Sequence, residues 1–368
     1  MTLRLSILDQ SPIPAGGAPA EALIATLQLA RSAECLGYHR FWVAEHHGAA
    51  GFAGTAPEIM VASLLENTRR LRIGSGGVLL PRYEPRKVAE VFRVLGALHP
   101  GRVDLGIGRA GGIARDFPRR FAEAIDLLGK PYPGYIPPTV WLLGAGSGSA
   151  RLAGALGTRF AFAHFLSPQL STAALDAFHG SGTLHASTRS ALAVRVEVAD
   201  TEAKAQELTA GFLLWRSRKG LVHNEPFPSP ATVRSHSWTA EEDARVGHSS
   251  RQLVAGTPHQ VKAELIGLAR VHQVDEVIVN TLTHDLVDRL RSYELLAESF
   301  QLAPKAPAAT VAMPARQRSP SGDGGAVRQH AAWRAVRSAV QEVVPASAFT
   351  GSVAIPLTPV ISMSRPRL

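Results

Sequence analysis

The amino-acid sequence predicts an α/β protein built as a parallel (β/α)8 barrel, the TIM-barrel architecture, followed by a C-terminal extension. Short β-rich runs alternate with longer helical runs from the first residues to about residue 300. Eight such strands are present, as a barrel of this kind requires. Polar and glycine-rich residues follow the strands directly, at the edge where parallel barrels bind ligands. We therefore predict a barrel over 1–302 and a tail over 303–368.

The individual elements follow from local residue patterns. The predicted strands are rich in aliphatic, β-branched and aromatic residues. They cover 4–8, 40–44, 71–76, 102–107, 139–143, 159–163, 191–198 and 275–280. The predicted helices have apolar residues at helical spacing, and several open on proline. They cover 20–36, 57–67, 85–98, 119–128, 149–156, 201–215, 258–271 and 285–300. A long polar segment, 217–251, interrupts the alternation.

The formal net charge of +9 is unevenly distributed along the chain. Residues 303–368 include eight basic and two acidic side chains, a net of +6, which leaves +3 for residues 1–302. The barrel part shows no basic stripe with interleaved aromatic residues, which is the pattern of a nucleic-acid-binding surface. We therefore expect no nucleic-acid partner.

The tail divides into two parts. Residues 303–325 are rich in proline, alanine, glycine and serine, a composition typical of a flexible linker. Residues 326–344 have the spacing of an amphipathic basic helix, with Trp333 and Val340 on its apolar face. Disorder is the favoured interpretation, and a helix that binds a partner or a membrane surface is the alternative.

Three features predict a cytoplasmic protein that does not span a membrane. No apolar run approaches the roughly 18 residues that cross a bilayer. The first residues lack a basic segment followed by a long apolar one, which would mark a secretory signal. The single cysteine, Cys35, cannot form an intramolecular disulfide, and this fits a reducing compartment.

The segment WVAEHHG (42–48) places a carboxylate and two imidazoles directly after the second strand. Imidazole titrates near neutral pH, so a histidine here suits proton transfer beside a ligand. Imidazole and carboxylate are also ordinary zinc ligands, although no HExxH spacing is present, and a purely structural role is a third interpretation. Neighbouring side chains of an extended segment point to opposite sides. At most one of His46 and His47 is therefore expected to face the site.

Two glycine-rich segments follow the fourth and fifth strands. GIGRAG (106–111) satisfies the pattern GxGxxG, but three strand–helix units precede it, whereas a dinucleotide-binding unit normally opens its domain. GAGSGS (144–149) opens a helix, where backbone amides and the hydroxyls of Ser147 and Ser149 can hold a phosphate group. A tight loop that only permits close packing is the alternative.

Gly76-Gly77, at the end of the third strand, also has two interpretations. It is either a place where backbone approaches a flat ring or an ordinary turn. Phe52, Phe162 and Phe165 follow or end strands and suggest an apolar pocket, although aromatic residues at such positions equally often belong to the core.

Four stretches together resemble the luciferase-like flavin monooxygenase family, which includes the bacterial luciferase subunits. They are LGYHRFWVAEHHG (36–48), LRIGSGGVLLPRYEPRKVAEVFRVLGALHPGRVDLGIGRAGG (71–112), VWLLGAGSGSARLAGALG (140–157) and GTPHQVKAELIGLARVHQVDEVIVNTLTHDLVDRLRSYELLAESF (256–300). The resemblance covers most of residues 1–302. It implies a barrel that binds reduced FMN from a separate flavin reductase and uses O2 to oxygenate an organic substrate such as an aldehyde. A homodimer or heterodimer is also implied.

The resemblance assigns roles to particular residues. It implies that His46 is the catalytic histidine near the flavin and that Glu45 holds the loop. Gly76-Gly77 would form a non-proline cis peptide beneath the flavin ring, and Arg109 would lie near the flavin phosphate. The implied phosphate loop consists of Gly144, Ala145, Gly146 and Ser149.

Two departures from the family pattern leave other functions open. Ala145 and Gly146 replace polar residues, which removes side-chain donors from the phosphate loop, and the segment 109–139 is shorter than in the family. The second interpretation is hydride transfer from a reduced deazaflavin, which relatives of the same barrel perform. The third is a non-catalytic flavin-binding or partner subunit.

Overall fold

The computed structural model describes residues 3–109, 115–130, 135–181, 189–219 and 225–303. The strands are β1 (Arg4–Asp9), β2 (Arg40–Val43), β3 (Arg72–Leu79), β4 (Val103–Gly108), β5 (Thr139–Gly144), β6 (Arg159–Ala163), β7 (Ser190–Val198), β8 (Leu253–Gly256) and β9 (Glu276–Asn280). The α-helices are α1 (Pro19–Leu36), α2 (Pro57–Asn67), α3 (Pro85–Leu98), α4 (Phe117–Leu128), α5 (Ser147–Ala155), α6 (Ser171–His179), α7 (Glu202–Ser217), α8 (Pro230–Ser235), α9 (Ala240–Ser250), α10 (Pro258–Val271) and α11 (Leu286–Phe300).

Eight parallel strands close a barrel, as predicted. β1 to β7 pair in sequence order, and β9 pairs in parallel with both β7 and β1 to complete the ring. The predicted eighth strand is therefore β9. Because every strand runs in the same direction, their carboxyl ends lie together at one mouth of the barrel.

Helix boundaries follow local sequence signals. α2, α3 and α10 begin at Pro57, Pro85 and Pro258, because proline lacks the N–H that the first helical turn would leave unpaired. α1 is followed by the C-cap residue Gly37, whose φ of 88° is left-handed. Residues other than glycine rarely adopt this conformation. Such signals explain why the predicted limits of these helices lie close to the observed ones.

The sequence prediction lacks α6 and misreads the segment 217–251. α6 is short, and only one side of it is buried, through residues that include Leu175 and Phe178. The polar segment contains the helices α8 and α9 and is followed by β8, whose four residues pair with the last four residues of β7. α9 is rich in charged and polar residues, and even its buried residues, Glu242 and Ser249, are polar, so the segment does not have the apolar positions by which the other helices were predicted.

The main apolar core lies between the strands and the surrounding helices. In β7, Leu192, Val194 and Val196 point outward into this core, whereas Ala191 and Ala193 point into the barrel. Phe162 belongs to the outer core and is absent from the lining of the cavity at the strand ends, which agrees with the second of the two interpretations given for it. The strands are therefore buried on both faces, as a parallel sheet requires.

A buried ionic network occupies the barrel interior on the amino-terminal side. Arg40 pairs with Asp104 and Glu276, and all three side chains are fully buried. The indole Nε1 of Trp42 donates to Asp104 at 3.1 Å, and the guanidinium of Arg40 lies 4.8 Å from the ring centre of Trp141. The aromatic rings separate this charged layer from the mouth.

The predicted linker and basic helix of the tail, 303–344, lie outside the described residues apart from Ala303. Within the described part of the chain, no helix combines the length and the apolar character that a membrane crossing demands.

Candidate active site

A cavity of about 640 Å³ opens at the carboxyl ends of the strands. This volume lies in the range of small-molecule and cofactor sites. Its floor is apolar and is built from Leu8, Trp42, Ala161, Ala193 and Ile278, which project from five different strands. Polar groups from the strand ends and from the end of α7 surround this floor.

Glu45 anchors the loop after β2. Its carboxylate accepts hydrogen bonds from the backbone N–H of Leu79 at 2.8 Å and from the hydroxyl of Tyr83 at 2.7 Å, and it contacts Nε2 of His47. Glu45 is 4% exposed although it lines the cavity. Its hydrogen bonds fix the loop to the end of β3.

His46 lies on the cavity wall with its imidazole stacked on the ring of Phe52, at 4.3 Å between ring centres. Its Nε2 lies 3.1 Å from the amide nitrogen of Gln10, and its buried Nδ1 has no hydrogen-bond partner among the described residues. Burial, followed by the positive charges of Lys219 and Arg195, lowers the pKa of His46 to about 4. The imidazole is therefore neutral at pH 7, and Nε2 can accept the proton of the Gln10 amide.

Both histidines of the segment line the cavity, so the prediction that at most one would face it was wrong. The physical reason is local geometry. β2 ends at Val43 and the chain bends at His47, so the alternation of an extended strand does not continue through the segment. The side chain of His47 is 27% exposed and contacts Glu45.

Gly76 and Gly77 lie within β3, where one extra residue shifts the pairing with β4, and the peptide bond between them is cis. Both line the cavity. A Cβ atom on Gly77 would stand 2.6 Å from the carbonyl oxygen of Gly106, and one on Gly76 would stand 2.7 Å from Leu8. Close packing within the barrel wall therefore excludes a side chain at either position, while the backbone of the pair forms part of the cavity surface.

The predicted phosphate loop leads from β5 into α5. Gly144, Ala145 and Ser149 line the cavity, whereas Gly146 is the N-cap residue of α5 and lies outside the lining. The hydroxyl of Ser147 donates to the carbonyl of Ala173 at 3.3 Å, so it is turned toward α6. Ser149 is therefore the hydroxyl that this loop offers to the cavity.

The start of α5 nevertheless provides backbone donors. The helix has no side-chain cap, and its first intrahelical amide bond runs from Ala150 to the carbonyl of Gly146. The amides that precede Ala150 have no partner within the helix. A Cβ atom on Gly144 would stand 2.4 Å from Cβ of Ser149, so glycine is required for this close turn. Arg109 follows β4, is exposed, and lines the same cavity.

Sequence reasoning missed Gln10, Arg195, Trp215, Arg216 and Lys219, which also line the cavity. Arg195 offered a signal, because it follows Ala191 and Ala193 on the inward face of β7 and sits near the end of the strand. Trp215, Arg216 and Lys219 lie at or just after the end of α7. No strand pattern marks a site there.

His164, which follows β6, does not line the cavity. It packs against His272, at 6.1 Å between ring centres, and its Nδ1 is buried and unpaired within the described ranges. Burial lowers the pKa of His164 to about 4. We interpret this residue as a core histidine that the fold keeps neutral.

This shift predicts a pH-dependent stability difference between the native protein and His164→Gln. Unfolded histidine binds a proton near pH 6.5, whereas folded His164 binds it only near pH 4. Between these values the unfolded state holds more protons, so native stability decreases as pH falls. Urea midpoints between pH 7 and pH 4 should show His164→Gln gaining stability relative to the native protein on acidification, by up to about 1.4 kcal/mol per pH unit. Parallel curves for the two proteins would contradict this; exposed His259→Gln is the control.

Within the described ranges, no group of three or more histidine, cysteine, aspartate or glutamate side chains is arranged to hold a metal ion.

Comparison with known proteins identifies the family. The model of the luciferase-like monooxygenase family matches residues 3–128. The chain is 38% identical to the uncharacterized protein YwcH of Bacillus subtilis (strain 168), over 80% of this chain and 98% of that protein. It is 34% identical to a luciferase-like monooxygenase of Escherichia coli (strain K12), over 80% of this chain and 96% of that protein.

Solved structures share the fold. The crystal structure of apo-MsnO8 superposes with a TM-score of 0.73 at 35% identity and covers 82% of this chain and 100% of that one. Two more distant barrels hold flavin-type cofactors. One is the oxygenating constituent of 3,6-diketocamphane monooxygenase in complex with FMN. It is 16% identical, covers 81% of this chain and 97% of that one, and superposes with a TM-score of 0.62. The other is an F420-dependent secondary alcohol dehydrogenase in complex with an F420-acetone adduct. It is 15% identical, covers 82% of this chain and 99% of that one, and superposes with a TM-score of 0.59. The identities over nearly the full length of the curated relatives place this chain in the luciferase-like monooxygenase family.

Proposed function

We propose that the protein is a monooxygenase that takes reduced FMN from a separate reductase and uses O2 to oxygenate a small organic substrate such as an aldehyde. One observation carries the proposal: a single cavity is lined by Arg109, by the loop that opens the uncapped helix α5, and by the buried, neutral imidazole of His46. Membership of the family supports it. A dimeric assembly and a cytoplasmic location belong to the same proposal.

The residues present fit a flavin mononucleotide. The unpaired amides at the start of α5, the hydroxyl of Ser149 and the guanidinium of Arg109 would hold the phosphate group. The backbone of Gly76-Gly77 would lie against the isoalloxazine ring. The loss of side-chain donors at Ala145 and Gly146 is compensated by the backbone amides, which are present whatever the side chain.

His46 would act as the proton-handling group. Its Nε2 accepts from the Gln10 amide, which fixes the ring so that the proton resides on Nδ1. In this tautomer Nδ1–H is a hydrogen-bond donor to a reacting group, and Nε2 can take up a proton when the Gln10 amide releases it. Bound reduced flavin would supply the two electrons needed to activate O2. The apolar floor would exclude water from that reaction.

Flavin binding is tested by Arg109→Gln. We expect the dissociation constant of FMN, measured by difference absorbance, to rise roughly tenfold, because a charge-assisted hydrogen bond to the phosphate is removed. Arg151→Gln is a matched control on α5, where the side chain is exposed and outside the cavity lining. Equal affinity in the two variants would exclude Arg109 from the phosphate site.

The reaction is tested with the purified protein, reduced FMN and a panel of aldehydes and other small organic substrates. Substrate-dependent O2 uptake that produces one oxygenated product is the expected result. Hydride transfer from reduced F420 without O2 uptake would instead support the deazaflavin alternative. Tight FMN binding without turnover on any substrate would support a non-catalytic flavin-binding or partner subunit.

A further inference from the structure

The cavity carries an excess of positive charge. Its cationic lining residues are Arg109, Arg195, Arg216, Arg218 and Lys219. The acidic lining residues within the described ranges are Glu45 and Glu225, so with neutral histidines the lining carries a net charge of +3. A single flavin phosphate at the Arg109 end would use part of this charge. Two of the remaining cations, Arg195 and Lys219, lie close enough to His46 to lower its pKa.

The two carboxylates already have partners. Glu45 is held by Leu79, Tyr83 and His47. Glu225 pairs with Arg218 at 3.1 Å. Neither is therefore available to neutralise the cations that face His46. These cations are Arg195 on β7 and Lys219 after the end of α7. Arg216 lines the same cavity, and its Nε donates to Oε1 of Gln252 at 3.3 Å.

Arg195 has the donor capacity of an anion-binding residue. Its side chain is 5% exposed, and its Nε and Nη1 have no hydrogen-bond partner in the described part of the chain. Its contact with Gln10 is long, at 3.4 Å from Nη2 to Oε1. Burying a guanidinium with unsatisfied donors is costly, so a bound anion would remove this cost. Gln10 also contacts the imidazole of His46, so a single side chain, that of Gln10, links the guanidinium of Arg195 to this imidazole.

No carboxylate in the described part of the chain forms an ion pair or a hydrogen bond with Arg195. Glu197, two residues further along β7, is its acidic neighbour, and burial raises the pKa of the Glu197 carboxyl. Its Oε1 accepts from the backbone of Leu282, and its Oε2 has no partner in the described ranges. On α11, Arg289 adds a positive charge that Asp9 takes up at 3.0 Å.

Aromatic rings surround the guanidinium and continue along the cavity. Arg195 lies 5.4 Å from the ring centre of Phe165 and 5.0 Å from that of Phe212. Phe52 and Trp215 meet edge to face at 5.6 Å and line the same wall as His46. A ligand on this wall would therefore meet a positive charge and an apolar surface together.

Resting on the proposed function, we propose that the substrate is a small organic anion. Its charged group pairs with Arg195 and is further attracted by Arg216 and Lys219, and its apolar part packs on Phe52 and Trp215. This orientation places the apolar part, where oxygenation occurs, next to His46. The substrate thus falls in the class of organic carboxylates and related anions.

The test uses two probes of nearly equal shape that differ in charge, hexanoate and hexanamide, with the full chain at neutral pH and without flavin. We expect calorimetry to show hexanoate binding roughly tenfold or more tightly than hexanamide, as a charge-assisted hydrogen bond provides. Arg195→Gln should remove most of the preference for hexanoate, leaving only the severalfold part that Arg216 and Lys219 contribute. Lys219→Gln, an exposed position that does not threaten folding, should reduce the preference severalfold.

Arg109→Gln distinguishes the two ends of the cavity, because it should leave the preference for hexanoate intact. The proposal is overturned if the native protein does not prefer hexanoate, if Arg195→Gln keeps the full preference, or if Arg109→Gln alone removes it. The last result would place the probe at the start of α5. FMN affinity is measured separately on the same variants, so a failure of flavin binding would leave the result with hexanoate interpretable.

Discussion

Replacing His46 by alanine is expected to reduce substrate turnover by roughly 10²- to 10⁴-fold, the usual contribution of a positioned acid–base group. The reason is that His46 is a neutral imidazole in the cavity wall, held by Gln10 and stacked on Phe52. Oxygen uptake coupled to product formation measures the effect. Because the pKa of His46 is lowered to about 4, native turnover should be insensitive to this group above about pH 5 and should fall as the pH drops through 4.

His47→Ala provides the comparison within the same loop. Glu45 would keep its bonds to Leu79 and Tyr83, so we expect a much smaller loss of turnover. Circular dichroism and FMN affinity should be close to native in both variants. Full turnover in His46→Ala, or an equal loss in both variants, would refute the specific role of His46.

The substitution Arg40→Met is expected to lower the free energy of unfolding. Methionine approximates the length of the arginine stem but leaves Asp104 and Glu276 buried without the cation between them. Removing one partner from a buried ion pair typically destabilises a protein by about 3–5 kcal/mol. We expect a corresponding decrease in the free energy of unfolding from urea titration. Arg72 also contacts Asp104, so Asp104 keeps one cationic partner after the substitution. Glu276, which loses its arginine partner, should therefore account for most of the decrease in stability.

Arg119→Met is the matched control, because the same substitution there removes only an exposed pair with Glu123 at 3.7 Å on α4. Such pairs contribute less than about 0.5 kcal/mol. Adding Glu276→Gln to Arg40→Met should recover part of the lost stability, since it removes the uncompensated charge. Similar losses in Arg40→Met and Arg119→Met would show that the network does not stabilise the barrel.

The barrel could be predicted because its strands are continuous apolar runs that end in polar or glycine residues. Local signals such as Pro57, Pro85 and Pro258 also fixed helix starts. α6 and β8 could not be predicted in this way. α6 is a helix of nine residues, too short for a clear helical period, and β8 consists of four residues whose identity as a strand depends on pairing with β7.

The site was predictable where residues follow strands directly. Glu45, His46, Arg109 and the loop into α5 lie at the mouth because parallel strands end there. Arg216 and Lys219 at the end of α7 required the fold, because no strand pattern indicates that the end of this helix reaches the cavity. The orientation of Ser147 toward α6 likewise depends on a helix that the sequence pattern did not reveal.

β7 pairs with β9 in its first part and with β8 in its last part. This arrangement affects how substrate specificity can change in evolution. Residues up to Arg195 pair with β9 and close the barrel, whereas those from Arg195 onward pair with β8. The segment that precedes β8 includes Arg218, Lys219 and Glu225, which reach the cavity. Insertions or substitutions in this segment can therefore reshape the substrate side of the cavity without breaking the hydrogen bonds that close the barrel.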